Sequence, residues 1–391
     1  MLSVLTLGWA VIYADRTCLY PLLPALAAGL GLTSAQAGTL TGIYFLFYVL
    51  MQIPAGIAGD RFGLRTVLLI MYTVAGLGLL GLGLWGTSFA ALLCFAALHG
   101  LGAGAYYPAA YGTLLQATPP ARRGFSSAVI GIGMAAGLLG GLAMSGPVYE
   151  TLGSYRWPFL LLCLPTFGMV WLFRRRLPNI RGTSGGAWAE YRELLQDRQL
   201  WLINIATFTA LYGFWVAVTW GPTFLKMERG YGLGQAGLYT GLVAVSAVPA
   251  GILWGRLSDR LGRKRVALFI LPAAAVALYL MTWATDPVSM ALVLPLFGMF
   301  SNSAFSPVMV AWIGDIVNRR YPGRMGAAVG IFNCTIMTAA IVAPIVSGYL
   351  RDATGSLAPA IAAGSCIMAA GTVVILLLPE RRPAEDRGFP G

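Results

Sequence analysis

Three ionisable side chains lie well inside apolar stretches of the sequence, where a charge is costly. Asp15 and Arg16 stand side by side in the first stretch, and His99, the only histidine, stands in the fourth. An ionisable group at the middle of a membrane costs several kcal/mol unless it is paired or hydrated, so its presence indicates a function or a partner. These three residues are the first candidates for binding a charged group or carrying a proton.

Arg16 lies on a helix face that suits an anion. A rise of about 1.5 Å per residue places it roughly 18 Å along its helix, near the centre of a bilayer. Tyr13 and Tyr20 share its face, and a guanidinium can pair both oxygens of a carboxylate. Asp15 points about 100° away, toward Ile12, and needs a partner from another helix. A structural ion pair is the alternative interpretation for both charges.

The composition is that of a membrane protein. The 391 residues are 58% apolar and 10% charged, with a mean hydropathy of +0.75, whereas soluble domains are about a quarter charged. The net charge of +12 comes from Lys and Arg between apolar stretches, which indicates membrane topology and not nucleic-acid binding. The five cysteines form no CxxC pair. We therefore expect no disulfide, metal site or cofactor.

Apolar stretches predict twelve transmembrane helices, because about 20 residues cross a bilayer. We expect a six-helix bundle over 1–174, a cytoplasmic linker at 175–199, a second bundle over 200–379 and a cytoplasmic tail at 380–391. Most of the 26 Lys and Arg residues fall on one side, which places both termini in the cytoplasm. Residues 187–196 are predicted as a short helix on the inner surface, with a plain linker as the alternative. The spans lie near 4–30, 35–58, 66–86, 88–117, 125–149, 156–174, 200–226, 235–256, 266–285, 288–316, 325–350 and 357–379.

The second half of the chain repeats the first. Residues 59–63, GDRFG, recur as 258–262, SDRLG, at an offset of 199, and Tyr13 maps onto Tyr212 at the same offset. Residues 153–154 map onto 355–356 at an offset of 202. Two pseudo-symmetric halves predict a substrate site between them at the centre of the membrane, as in secondary carriers.

The repeated loop resembles the signature of the major facilitator superfamily. The copy at 255–264, GRLSDRLGRK, is complete, and the copy after the second helix is weaker. The resemblance implies a major facilitator fold and a charged latch that stabilises one state of the transport cycle. Asp315, at the cytoplasmic end of the tenth helix, is assigned to the same latch. The predicted gating residues are Gly56, Asp60, Arg61, Gly255, Asp259, Arg260, Gly262, Arg263 and Asp315.

Most of the chain resembles the anion:cation symporter family, which includes hexuronate, galactonate and sialic-acid carriers. The agreement is best around Asp15–Arg16 in the first helix, Tyr48 in the second and Asn333 in the eleventh. The resemblance implies transport of a small organic anion, commonly with protons. Helical spacing and the repeat add further polar candidates. The predicted substrate-binding residues are Arg16, Tyr13, Tyr20, Tyr48, Tyr212, Asn302 and Asn333.

One departure from the family pattern leaves the identity of the coupling ion open. Many members of the family have a Glu five residues before the Pro of the fourth helix, and here that position is Ala103. Asp15 and His99 are the remaining candidates for proton coupling. Sodium coupling and facilitated diffusion are the alternatives, and a histidine that only bonds a neighbour is the alternative for His99.

Two alternatives to this interpretation differ in what they require of the sequence. A drug or lipid exporter, such as an efflux or Spinster-like carrier, remains the alternative within transport, although Ala96 and Leu138 replace typical efflux residues. A membrane-embedded enzyme or receptor is disfavoured because no nucleophile–base or metal constellation and no sizeable soluble domain is found. We therefore expect a monomeric, non-enzymatic transporter in the inner membrane, whose partners are the anion, a proton or sodium, and the lipid bilayer.

Overall fold

The computed structural model describes residues 1–119, 123–181, 188–322 and 324–379, whose regular elements are all helices. The predicted tail at 380–391 and the linker residues 182–187 lie outside this range. The helices are α1 Leu2–Thr17, α2 Leu19–Leu30, α3 Ser34–Phe62, α4 Leu64–Trp85, α5 Phe89–Gly104, α6 Tyr106–Ala117, α7 Arg123–Leu152, α8 Arg156–Arg176, α9 Trp188–Gln196, α10 Arg198–Arg229, α11 Leu233–Leu261, α12 Arg263–Leu280, α13 Pro287–Phe300, α14 Asn302–Arg320, α15 Met325–Thr354 and α16 Ala358–Leu376.

Three of the predicted spans are interrupted helices. The first breaks at Cys18 between α1 and α2, and the fourth breaks at Ala105 between α5 and α6. In both cases a proline, Pro21 or Pro108, follows three residues later and cannot donate to the carbonyl of the last residue before the break. The tenth span breaks at Ser301, whose backbone is extended with ψ 174°.

Ten helical stretches in the described part of the chain are long and apolar enough to cross a membrane. The two predicted spans that fall short have local reasons. The break at Cys18 leaves α1 and α2 with 16 and 12 residues, and the 18 residues of α12 begin with Arg263, Lys264 and Arg265. The chain is a multi-pass membrane protein.

The helices pack into two compact units. Among the described residues, unit 1 comprises 1–119, 123–181, 218–241 and 344–357, and unit 2 comprises 188–217, 242–322, 324–343 and 358–379. Unit 1 thus holds the first eight helices together with one end each of α10, α11 and α15. The division into bundles over 1–174 and 200–379 stays a prediction.

Glycines bring α7 against α1 in unit 1. A Cβ at Gly133 or Gly137 would collide with the carbonyl oxygen of Thr6 or Ala10, and one at Gly141 would collide with Thr17. The three glycines are spaced four residues apart, so they line one face of α7. This contact determines which face of α1 packs against α7 and therefore which faces remain for Asp15 and Arg16.

The predicted linker helix is present as α9, and its end is tied to α14 within unit 2. Asp197 accepts from the Gln199 amide at 2.7 Å, from Arg320 Nη1 at 2.9 Å and from the Tyr321 hydroxyl at 3.1 Å. Burial alone would raise the pKa of Asp197, but these donors hold it below its ordinary value. The ionised carboxylate therefore caps α10 at neutral pH.

Candidate functional site

Arg16 lies in a buried aromatic cluster of unit 1. Its side chain is only 5% exposed, and its Cζ lies 3.4 Å from the centroid of the Tyr13 ring. The rings of Phe45 and Tyr48 lie at 5.3 Å and 5.9 Å from the same atom. A desolvated guanidinium over an aromatic face gains about 2 kcal/mol per favourable contact. The ring faces therefore offset part of the cost of burying this charge.

The second helix of the cluster, α3, contributes a residue that the sequence did not single out. Tyr44 stacks on Tyr48, with ring centroids 6.1 Å apart and planes inclined by 22°. Tyr44 and Tyr20 also line the same small cavity as Arg16. Tyr44 precedes Tyr48 by one helical turn, so the i, i+4 spacing was a signal that could have found it.

Two glycines of α5 set the position of those tyrosines. A Cβ at Gly100 would collide with the Tyr44 carbonyl oxygen, and one at Gly104 would collide with that of Tyr48. The backbones of α5 and α3 therefore touch where the two phenol rings leave α3. Substituting either glycine would displace the rings from the cluster around Arg16.

His99 lies beside this cluster with one nitrogen already engaged. Its Nδ1 lies 2.9 Å from the Ala75 carbonyl oxygen, so in the neutral ring Nδ1 carries the proton and donates. Its ring centroid lies 5.2 Å from that of Tyr44. Among the described residues, the buried Nε2 has no hydrogen-bond partner. That nitrogen is free to accept a proton, and the role of His99 in coupling stays a prediction.

Asp15 occupies a different face of α1. The side chain is 1% exposed, and its Oδ2 accepts a hydrogen bond of 2.8 Å from the Thr166 hydroxyl of α8. No described residue bonds the other oxygen, Oδ1. The partner supplied by another helix is thus a hydroxyl and not a cation. No sequence pattern marked Thr166 as that partner.

A small cavity of about 20 Å³ connects the polar groups of this cluster. A cavity of this size holds one water molecule and is too small for a carboxylic acid. Binding of a substrate at Arg16 therefore requires side chains to move. The lining residues are Asp15, Arg16, Leu19, Tyr20, Thr41, Tyr44, Leu82, Ala96, His99 and Phe159.

The substrate-site candidates of the second half lie in unit 2. Tyr212 is 4% exposed, and its ring lies 6.3 Å from that of Phe208. Asn302 opens α14, and Asn333 lies in α15; both side chains are 9% exposed. The structure thus brings together the first-half candidates of unit 1, and the role of the three second-half residues stays a prediction.

The second copy of the loop signature forms a charged cluster in unit 2. Arg263 Nη1 lies 2.5 Å from Asp259, and Arg263 Nε donates to Asp315 at 3.2 Å. The same arginine donates to the Ser258 hydroxyl at 2.6 Å. Gly262 has φ +96°, which a residue with a side chain rarely adopts. One arginine therefore links the end of α11 to α14.

The remaining gating candidates lie near the C-terminal ends of α11 and α3. Arg260 is in the last turn of α11, and Gly255 lies two turns before its end. In unit 1, Asp60 and Arg61 are in the last turn of α3, with the Arg61 guanidinium 5.3 Å from the Phe62 ring. A Cβ at Gly56 would lie in ordinary contact with Pro108. The turn after α3 is hydrogen-bonded to the linker, because the Leu64 amide donates to the Ile180 carbonyl at 2.8 Å.

The family model of the Major Facilitator Superfamily matches residues 5–252 and 230–390. The chain belongs to the Major Facilitator Superfamily. Members of this superfamily are membrane transporters, so the chain is a transporter and not an enzyme.

Individual relatives within the superfamily cover nearly the whole chain. A probable sulfoacetate transporter of Cupriavidus necator is 29% identical over 91% of this chain and 88% of its own length. A hexuronate transporter of Bacillus subtilis is 24% identical over 96% of this chain and 93% of its own. The structure of a bacterial homologue of the lysosomal transporter Spinster aligns with a TM-score of 0.77 at 18% identity, over 96% of this chain and 94% of that one. The last likeness shows the fold alone.

Proposed function

We propose that the protein is a secondary transporter of a small organic anion, most simply a carboxylate, whose charge pairs with Arg16. The observation that carries the proposal is a guanidinium buried among tyrosine rings in the first predicted span. Two relatives are named for sulfoacetate and hexuronate, which are both organic anions. The buried cation and the named substrates support the same chemistry.

Arg16 is suited to this role by shape as well as by charge. Its planar guanidinium offers parallel N–H donors that match two oxygens of a carboxylate or sulfonate, and the low local dielectric strengthens the pair. Hydroxyl groups of Tyr13, Tyr20 and Tyr48 supply further hydrogen bonds, and we add Tyr44 to this set. In the second half we propose Tyr212, Asn302 and Asn333 as the complementary polar groups.

We further propose that transport is symport with a proton, by alternating access, in the inner membrane with both termini in the cytoplasm. Asp15 and His99 are the two groups proposed to carry the proton. Each has a buried atom that no described residue bonds: Oδ1 in Asp15 and Nε2 in His99. Both residues line the small cavity beside Arg16, so a change in protonation would be felt at the substrate.

Uptake into proteoliposomes tests the function directly. The purified protein is assayed with a panel of labelled organic acids, including sulfonates and hexuronates, under a pH gradient, a sodium gradient or no gradient. We expect one class of organic anion to accumulate only when the outside is acidic. Accumulation under the sodium gradient alone would contradict proton coupling. Transport of lipids or cationic drugs with no uptake of any anion would contradict the proposed substrate class.

The charged cluster around Arg263 gives a prediction for the gate. Asp259→Asn keeps the size of the side chain but removes the charge that pairs with Arg263, so it should weaken the link from α11 through Arg263 to α14. We expect the transport rate to fall several-fold while substrate affinity stays unchanged. Rate is measured in proteoliposomes, and affinity is measured by thermal shift of the purified protein.

A matched control is available in the same unit. Glu193 pairs with Arg324 at 2.6 Å and its side chain is 56% exposed, so Glu193→Gln removes a comparable charge outside the proposed gate. We expect its transport rate to match that of the wild type. Equal losses of rate and affinity in Asp259→Asn would indicate general misfolding and would contradict a gating role.

A further inference from the structure

Within unit 1, α3 contacts the last part of α15 and α7 contacts the first part of α11, and these contacts repeat the internal symmetry of the sequence. Positions in α3 and α11 correspond at an offset of 199, and positions in α7 and α15 correspond at an offset of 202. Each pair joins a helix of the first half of the sequence to a helix of the second half. The contacts lie at the end of the helices that the Lys and Arg distribution places outside.

Glycines hold the backbones of each pair in direct contact. In all four places a Cβ added to the glycine would collide with backbone atoms of the facing helix. The colliding pairs are Gly38 with the Pro344 carbonyl oxygen, Gly348 with that of Ser34, Gly237 with that of Leu142, and Gly146 with the backbone of Leu233 and Gly234. Under the repeat, the contact of Gly38 with Pro344 corresponds to that of Gly237 with Leu142. The contact of Gly348 with Ser34 corresponds to that of Gly146 with Leu233. The two pairs therefore use the same packing twice.

In both α15 and α7, a carboxylate lies one helical turn beyond the contact glycine, which is Gly348 or Gly146. Asp352 of α15 accepts from the amides of Ser34 and Ala35, at 2.8 Å and 2.7 Å, which are the first residues of α3. Glu150 of α7 accepts from the Gly234 amide, the second residue of α11, at 3.1 Å. Glu150 and Asp352 correspond under the repeat offset of 202. Each carboxylate thus caps the N-terminus of a helix from the other half of the sequence.

Such a cap combines two favourable effects. The first amides of a helix have no partner within the helix, and a carboxylate both accepts from them and opposes the positive end of the helix dipole. When the pair separates, the amides and the carboxylate must both return to water. The Arg351 side chain adds a hydrogen bond of 3.0 Å to the Ser34 hydroxyl at the same place.

We propose that Glu150 and Asp352 are paired positioning residues that hold the outer ends of these helices together, and that both caps must open before substrate can enter from outside. The proposal rests on alternating access and on the predicted orientation. A carrier of two halves opens one side by separating helices of the first half from helices of the second. Because each cap bridges the two halves of the sequence, neither can survive that separation.

The loops and helix ends that the Lys and Arg distribution places outside also carry two control carboxylates that do not bridge the halves of the sequence. Asp286 caps its own helix, α13, through the amides of Val288 and Ser289 at 3.0 Å each. Glu228 of α10 accepts from the Ser356 hydroxyl at 2.8 Å and from the Leu357 amide at 2.5 Å, both before α16. All of these residues belong to the second half. Opening the outer side leaves both contacts intact.

Hydrogen–deuterium exchange of the full chain in lipid nanodiscs tests the proposal without any substrate. Asp352→Asn is expected to speed exchange several-fold at the start of α3 and also at the start of α11, because one opening breaks both caps. Glu150→Gln is expected to show the reciprocal pattern. Asp286→Ala and Glu228→Ala, which remove the accepting oxygens, should each speed exchange only at the helix that the residue caps.

Two results would overturn the proposal. The first is exchange that rises only at the helix capped by the mutated residue, in both Asp352→Asn and Glu150→Gln. The second is wild-type exchange at both helix ends in the double variant. Asp352→Glu guards against misfolding, since it keeps the charge and should retain most of the protection. Because no substrate is added, failure of the anion proposal leaves this result unaffected.

Discussion

Arg16→Ala is expected to weaken binding of the transported anion about tenfold to hundredfold in a protein that still reaches the membrane folded. Charge-assisted hydrogen bonds are worth roughly 1.5–3 kcal/mol, and each ~1.4 kcal/mol is a factor of ten in affinity. The Tyr13, Phe45 and Tyr48 rings around Arg16 remain in the variant and can close over a smaller residue. Affinity is measured by thermal shift or calorimetry on the purified protein with the anion identified by uptake.

Arg16→Lys separates shape from charge at the same position. A Lys ammonium keeps the positive charge but meets a carboxylate as a point charge without the bidentate fork, so we expect an intermediate loss of affinity. Arg156→Ala is the control, because this arginine lies at the start of α8, outside the cluster. Binding of the anion with normal affinity to Arg16→Ala would identify Arg16 as a structural charge and remove the main support for the proposed substrate class.

The position of Arg16 could be predicted because it depends on one helix. Tyr13 and Arg16 are three residues apart, and this spacing alone places a phenol ring beneath the guanidinium, as the 3.4 Å distance shows. Tyr44 could have been found from its i, i+4 spacing to Tyr48, whereas Thr166 was missed because it reaches Asp15 only through the packing of α8 on α1. A sequence pattern reports which face a residue occupies, but not which neighbour that face meets.

The helix breaks show a similar limit. Twelve apolar stretches were visible in the sequence, yet the interruptions at Cys18 and Ala105 depend on where Pro21 and Pro108 remove a hydrogen bond. Proline is common in membrane helices and does not always break them, because neighbouring helices can satisfy the freed carbonyl. The local outcome is therefore decided by tertiary packing, which the hydropathy pattern does not contain.

The symmetric contacts at the outer ends of the helices could be predicted in part. The offset between the halves was readable from residues 153–154 and 355–356, and it already aligned Glu150 with Asp352. The sequence could not show that each carboxylate meets the first amides of a distant helix. That contact requires α15 to approach α3 closely, which Gly38 and Gly348 permit. A repeat thus identifies equivalent residues before it identifies their partners.

Asp15→Asn is expected to abolish accumulation driven by a pH gradient while leaving exchange of preloaded substrate at its normal rate. Asparagine has nearly the shape of aspartate, and its carbonyl oxygen can still accept from the Thr166 hydroxyl that bonds Asp15 at 2.8 Å. The helix contact is therefore kept, and only the titration of the carboxylate is lost. If that titration couples proton and substrate movement, substrate still crosses down its gradient but is no longer driven by protons. Uptake and counterflow in the same proteoliposomes measure the two processes.

Two further variants identify the group that titrates. Thr166→Val removes the hydrogen bond but keeps the acid, so accumulation should persist with a shifted dependence on pH. His99→Gln removes the other candidate, and it should accumulate substrate normally if Asp15 alone carries the proton. Normal accumulation by Asp15→Asn together with loss in His99→Gln would move the role to the histidine, whose Nε2 is free to accept a proton among the described residues. Normal accumulation in both variants would mean that neither buried group carries the coupling proton, because a group that cannot titrate cannot be driven by a pH gradient.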